Sequence, residues 1–140
     1  MNFNHFKNNI SKLKKNSIGG LDAQFNLAPK LRLRYSEEKI NALHPKKAAI
    51  VALFYPNNNG DTCFLLTLRA DYNGVHAAQI SFPGGKYDVD DETLKKTALR
   101  ETFEEVGIQI RDISIFKQMT DVFIPPSNFL VTPFLGYLEK

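Results

Sequence analysis

The sequence predicts an α+β sandwich in which a mixed β-sheet has one acidic helix packed across it. Three observations predict it. Residues 48–55 form an apolar run bounded by turn residues, and an apolar partner segment follows at 63–68. A helical pattern runs up to Gly107 with apolar groups on one side and carboxylates on the other. Two further strand-like segments close the chain at 113–119 and 129–138. The 140 residues, 43% hydrophobic and 24% charged, support one core of ordinary size.

From the N-terminus, Phe3, Phe6, Ile10 and Leu13 recur at helical spacing, with Lys7, Lys12, Lys14 and Lys15 mostly on the other side. This amphipathic helix is expected to pack on its own domain or on a second copy in a homodimer. Residues 17–47 are rich in turn formers and basic groups and read as irregular, with a short helix near Glu37. The division expected is an N-terminal helix and irregular segment over 1–47, packed on the main domain over 48–140. Within the latter, 48–55 reads as a buried strand and Asn57-Asn58-Asn59-Gly60-Asp61 as a hairpin loop. Residues 63–68 form the return strand and 78–82 a shorter one. Phe82-Pro83-Gly84-Gly85 reads as a strand end running into a tight loop that glycine permits.

Composition excludes several classes. No apolar run is long enough to span a bilayer, and the first residues lack the apolar stretch of a secretory signal. The lone Cys63 cannot form an internal disulfide and reads as a small core residue of a cytoplasmic protein. The net charge of +3 suits an anionic small molecule and is too weak by itself to argue for nucleic acid, and neither nucleic acid nor a membrane is expected as a partner.

The acids near residue 104 carry the functional signal. Glu101, Glu104 and Glu105 lie toward the end of the helix, where its negative half-dipole disfavours each by about 0.3–1 kcal/mol. Glu101 and Glu105 also repel at i,i+4 by about 0.2–0.5 kcal/mol. Asp88, Asp90 and Asp91 are N-cap candidates, and Gly107 is a C-terminal cap. At about 100° per residue, Leu94, Ala98, Glu101 and Glu105 share one side with Glu104 beside them, and Leu99, Phe103 and Val106 make an apolar stripe opposite. The competing explanation is a solvated face paired with Lys95, Lys96 or Arg100. A divalent cation is the simplest relief for crowded carboxylates, and oxygen ligands suit Mg²⁺ or Mn²⁺.

Gly85, Arg100, Glu101, Phe103, Glu104, Glu105, Gly107 and Ile108 resemble the Nudix box, G-x5-E-x7-R-E-U-x-E-E-x-G-U with U apolar. The first acid is offset: counting from Gly85 gives Asp91, counting back from Arg100 gives Glu92, so the box is one residue longer here. Upstream, Leu65-Leu66-Thr67-Leu68-Arg69-Ala70 and Phe82-Pro83-Gly84-Gly85 are similar to the extra motif of the coenzyme A pyrophosphatase branch. Gly74 stands where that motif has arginine, and Ala78 where it has glycine. The resemblance implies an α/β/α sandwich with a mixed sheet. Members of the branch usually continue beyond the final strand of this chain, so the expectation is either a C-terminally incomplete fold or one completed by another subunit.

The resemblance also implies the chemistry: metal-dependent hydrolysis of a diphosphate bond in a nucleotide derivative. Coenzyme A or its thioesters is the first choice, giving phosphopantetheine and adenosine 3′,5′-bisphosphate. The implied ligands for Mg²⁺ or Mn²⁺ are Glu101, Glu104, Glu105 and the Gly85 carbonyl. Glu101 is also the first choice for general base. Arg100 orients Glu101 or ties the loop to the helix, and Asp91 or Glu92 holds the loop or joins an outer shell of the metal. Arg69, Lys86 and His76 are candidate substrate contacts. Alternatives are a pyrophosphatase for another nucleotide, of oxidised nucleoside triphosphate or ADP-ribose type, and a non-catalytic nucleotide-binding module.

Overall fold

The computed structural model describes residues 1–26, 28, 35–68 and 79–139. The expected substrate contacts Arg69 and His76, and the start of the expected strand at 78–82, lie outside them.

The centre of the fold is β1 (Lys46–Pro56), whose alternate residues Ala49, Val51 and Leu53 are fully buried. Burying side chains such as Val51 and Leu53 contributes about 1.5–3 kcal/mol each. The expected hairpin forms, with β2 (Thr62–Phe64) antiparallel to the far end of β1. The return strand is not continuous, however. After Leu65 the chain leaves β1, and β3 (Thr67–Leu68) pairs with β4 (Ile80–Ser81) as a separate ribbon. It must leave because the rest of that edge is taken: β5 (Gly84–Lys86) pairs with Ala48, Ala49 and Ile50. The segment expected to be a glycine loop is therefore itself a strand. Cys63 is half-buried on this edge rather than in the core.

On the other side β1 runs parallel to β8 (Phe129–Tyr137). In turn β8 pairs antiparallel with β6 (Ser114–Gln118) and with the short β7 (Val122–Ile124), a strand with too few residues to show a period. The sheet is mixed, as expected.

Two helices cover opposite faces, because neighbouring residues of β8 point to opposite sides. Phe134 joins Ala49, Val51, Leu53, Ala98 and Leu99 under α4 (Leu94–Val106). Leu135 joins Phe3, Phe6, Ile10 and Phe116 under α1 (Phe3–Lys15). The Phe6 ring stands 4.9 Å from that of Phe54 and 6.2 Å from that of Phe116. The irregular segment contains two short helices, α2 (Gly20–Phe25) and α3 (Glu37–Ala42). The second stands near Glu37 as expected. The first has no apolar period to betray it, and Gln24 fastens it to the carbonyls of Thr120 and Asp121. Among the described residues no helix is long and apolar enough to cross a membrane.

Candidate functional site

The site is built where α4 crosses β5, and small residues set the approach. The buried positions of α4 are Thr97, Ala98, Leu99 and Thr102, so the helix meets the sheet on a narrow, small-residue face. This corrects the expected stripe. Ala98 belongs to the core instead of sharing the acids' side, and Phe103 is 42% exposed. The acids rise from the margin of the packed face: the Glu101 side chain is 20% exposed and that of Glu104 54%.

The acids before the helix do not cap it. Thr93 is the N-cap of α4, its hydroxyl accepting from the Lys96 N–H, while Asp88 caps a separate 3-10 turn at Val89–Asp91. Glu92, at φ +63°, reverses the chain between turn and helix, so the acidic run cannot lead straight into α4. The extra residue of the box is absorbed there. Glu92 turns outward and pairs with Lys96. Asp91 turns inward, and its side chain is only 5% exposed.

Buried charge demands partners, and Asp91 has four donated bonds. Its Oδ1 accepts from Arg100 Nε at 2.6 Å. Its Oδ2 accepts from Arg100 Nη2 at 2.9 Å, from Thr97 Oγ1 at 2.8 Å and from the Asp88 N–H at 3.0 Å. The Arg100 hydrogen bonds hold the Asp91 carboxyl well below the usual carboxylate range; burial opposes them, and the Asp88 and Thr97 donors assist. Arg100 is raised above its ordinary range, first by Asp91, with burial opposing and Glu101 and Glu104 adding to the rise.

Arg100 ties the remaining parts together. Its Nη1 donates to Glu101 Oε1 at 2.9 Å and to Glu104 at 3.2 and 3.3 Å, and its Nη2 donates to the Lys86 carbonyl at 3.2 Å. Glu105 reaches β5 separately, accepting from the Gly84 N–H at 3.1 Å. The Glu101 carboxyl lies against the Gly85 backbone so closely that a Cβ built on Gly85 would stand 2.4 Å from its Cδ. Gly107 closes the helix at φ +73°, where its N–H reaches the Phe103 carbonyl at 2.8 Å.

The donor chemistry suits a hard divalent cation, since the carboxylates supply only oxygen. As they stand, no three Asp, Glu, His or Cys side chains among the described residues are gathered to hold an ion. Arg100 occupies Glu101 and Glu104, and Gly84 occupies Glu105. Lys86 is exposed on β5 at the edge of this arrangement. Two features gave no sequence signal. Thr97 occupies an unremarkable helix-interior position. A cavity of about 680 Å³ between α2, α3 and the β6–β7 connection is lined by residues including Asp22, Glu37, Met119 and Asp121, and by none of the α4 acids.

Comparison with known proteins finds relatives of this chain. The NUDIX domain family matches residues 44–138. The chain is 39% identical over 81 residues to Nudix hydrolase 3 of Caenorhabditis elegans, covering 58% of this chain and 33% of that protein. It is 44% identical over 72 residues to the uncharacterized Nudix hydrolase NudL of Yersinia pestis (strain Pestoides F), covering 51% of this chain and 36% of that protein. The match thus spans about a third of the length of these curated relatives. Among solved structures, the fold is similar to C. elegans Ap4A hydrolase, with a TM-score of 0.56 and 25% identity over 69% of this chain and 70% of that one.

Proposed function

This chain belongs to the NUDIX domain family, whose α+β sandwich it adopts, and we propose that it is a hydrolase that cleaves the diphosphate bond of coenzyme A or its thioesters with Mg²⁺ or Mn²⁺. The single observation that carries the reading is the knot of carboxylates on α4, held by one arginine against a glycine strand. Arg100 supplies one positive charge to these acids, which leaves net negative charge at the negative end of α4 for a divalent cation to offset. The products are phosphopantetheine and adenosine 3′,5′-bisphosphate.

Water attack on a phosphoryl group needs charge neutralisation and a positioned nucleophile more than covalent help. What a divalent ion supplies when bound is Lewis acidity toward the diphosphate oxygens. In this reading Glu101, Glu104, Glu105 and the Gly85 carbonyl would hold it. Glu101 takes the proton of the attacking water as general base. Arg100 stays with Asp91 and keeps Glu101 in place. Lys86 contacts phosphate oxygens, and we assign the same role to Arg69 and a substrate contact to His76 from their sequence positions.

A second reading, a pyrophosphatase for another nucleotide, is favoured by Gly74 in place of the branch arginine and by the likeness to Ap4A hydrolase. Incubating the protein with coenzyme A, Ap4A, ADP-ribose and nucleoside triphosphates, each with Mg²⁺ or Mn²⁺, separates the two. Release of adenosine 3′,5′-bisphosphate supports the first reading. Cleavage of the others without coenzyme A supports the second, and no turnover of any substrate refutes both. Glu104→Gln weakens Mn²⁺ binding by at least the roughly 10–100-fold typical for loss of an outer-shell partner, and lowers the rate with it. A variant with full activity refutes the ligand assignment.

A further inference from the structure

Thr97 is fully buried inside α4, about one turn ahead of Glu101 and two ahead of Glu104 and Glu105. Its hydroxyl has one proton and two acceptors in range: Asp91 Oδ2 at 2.8 Å and the Thr93 carbonyl at 3.3 Å. The shorter, charge-assisted bond takes the proton. Asp91 is then gripped from two sides, by the helix interior through Thr97 and by the preceding turn through the Asp88 N–H at 3.0 Å. Both Asp91 oxygens engage Arg100, whose Nη2 also donates to the Lys86 carbonyl and whose Nη1 reaches Glu101 and Glu104. Each link is directional, so the position of the first fixes the last.

We infer that Thr97 is a positioning residue: its hydroxyl sets Asp91, Asp91 sets Arg100, and Arg100 sets the stance of Glu101 and Glu104 toward a divalent cation. This rests on the assignment of those acids as cation ligands. A Thr97 kept only for packing or for the helix backbone would be replaceable by valine, which has the same shape and similar helix preference. A Thr97 kept for Asp91 tolerates serine and fails with valine, because one lone pair of an enclosed carboxylate then lacks its donor.

The test uses the full chain and Mn²⁺ as the probe, with affinity read by calorimetry without substrate. The Arg100 Nε–H resonance reports independently on the arginine's position in metal-free protein. The expected result is about a tenfold loss of Mn²⁺ affinity and a shifted, less protected Arg100 signal in Thr97→Val, with Thr97→Ser close to the parent in both. Thr97→Ala, smaller and with better helix preference, carries the same comparison if the valine variant melts below the working temperature. Parent-like Mn²⁺ affinity in the hydroxyl-less variants overturns the inference while leaving the ligand assignment standing. Failure of the parent protein to bind Mn²⁺ overturns both.

Discussion

Two adjacent glycines of β5 offer a way to separate the site from the fold, because a methyl group added to each meets a different kind of atom. At Gly85 an added Cβ stands 2.4 Å from Cδ of Glu101, 2.5 Å from Oε2 and 2.7 Å from Oε1. All are at the far end of a flexible side chain, and ordinary contact at about 3.4 Å requires the carboxyl to retreat by roughly 1 Å. The stability cost is a rotamer adjustment of about 0.5–1.5 kcal/mol. It is largely offset by the lower unfolded-state entropy of alanine, worth about 0.4–1 kcal/mol. At Gly84 the added Cβ stands 2.3 Å from the Ala49 carbonyl oxygen and 2.6 Å from Cα of Ile50, and φ is +150°. Backbone paired in a central strand cannot retreat, so strain and overpacking together cost about 2–4 kcal/mol. Gly85→Ala should therefore melt within a few degrees of the parent and lose about 100-fold in hydrolysis, since a 1 Å misplacement at a reacting centre costs of that order. Gly84→Ala should melt far lower. The assays are thermal unfolding, Mn²⁺ titration and the rate of hydrolysis of the nucleotide diphosphate that the parent protein cleaves. A Gly85→Ala protein with parent-like Mn²⁺ affinity and rate would refute the assignment of Glu101. One as unstable as Gly84→Ala would refute the account of what the methyl group meets.

Asp91→Asn leaves Arg100 without its main counter-charge, and denaturant unfolding should show a loss of about 2–3 kcal/mol, less than for a fully enclosed pair because Glu101 and Glu104 remain. The acid dependence has a definite sign. The folded Asp91 carboxyl is held below its ordinary 3.8, so the unfolded chain binds the extra proton and the pair's contribution is present above that value and lost as pH falls beneath it. The stability gap between parent and Asp91→Asn should narrow on acidification, and a gap that widens would exclude the pair as its source. Phe6→Ala removes a ring that is 5% exposed and should cost about 3–5 kcal/mol in thermal or denaturant unfolding. Mn²⁺ affinity should be retained wherever the protein remains folded, because Phe6 packs on the face of the sheet away from α4.

Much of this molecule can be read along the chain because its determinants are local. The continuous apolar run at 48–55 marks the central strand, and Gly107 ends α4 in the left-handed conformation that favours glycine. The spacing of Arg100, Glu101, Glu104 and Glu105 marks acids that share one rim of a helix. What was misjudged depended on partners distant in sequence. The Gly84–Lys86 segment is a strand because Ala48–Ile50 is there to pair with it, and the 63–68 strand breaks because that edge is then full. Phe103 is exposed because the approach of α4 is governed by Ala49 and Ala98, small residues on two elements that must meet.

The class of fold, the acidic helix and the cluster of oxygen donors are legible along the chain, since periodicity and side-chain type are properties of neighbours. The choice between Asp91 and Glu92, the partner of Thr97 and the placing of Gly85 against Glu101 arise from three-dimensional packing. Those outcomes depend on where a reversed turn and a crossing strand come to rest, and directional hydrogen bonds over about 3 Å form or fail on displacements far smaller than any pattern in the chain specifies.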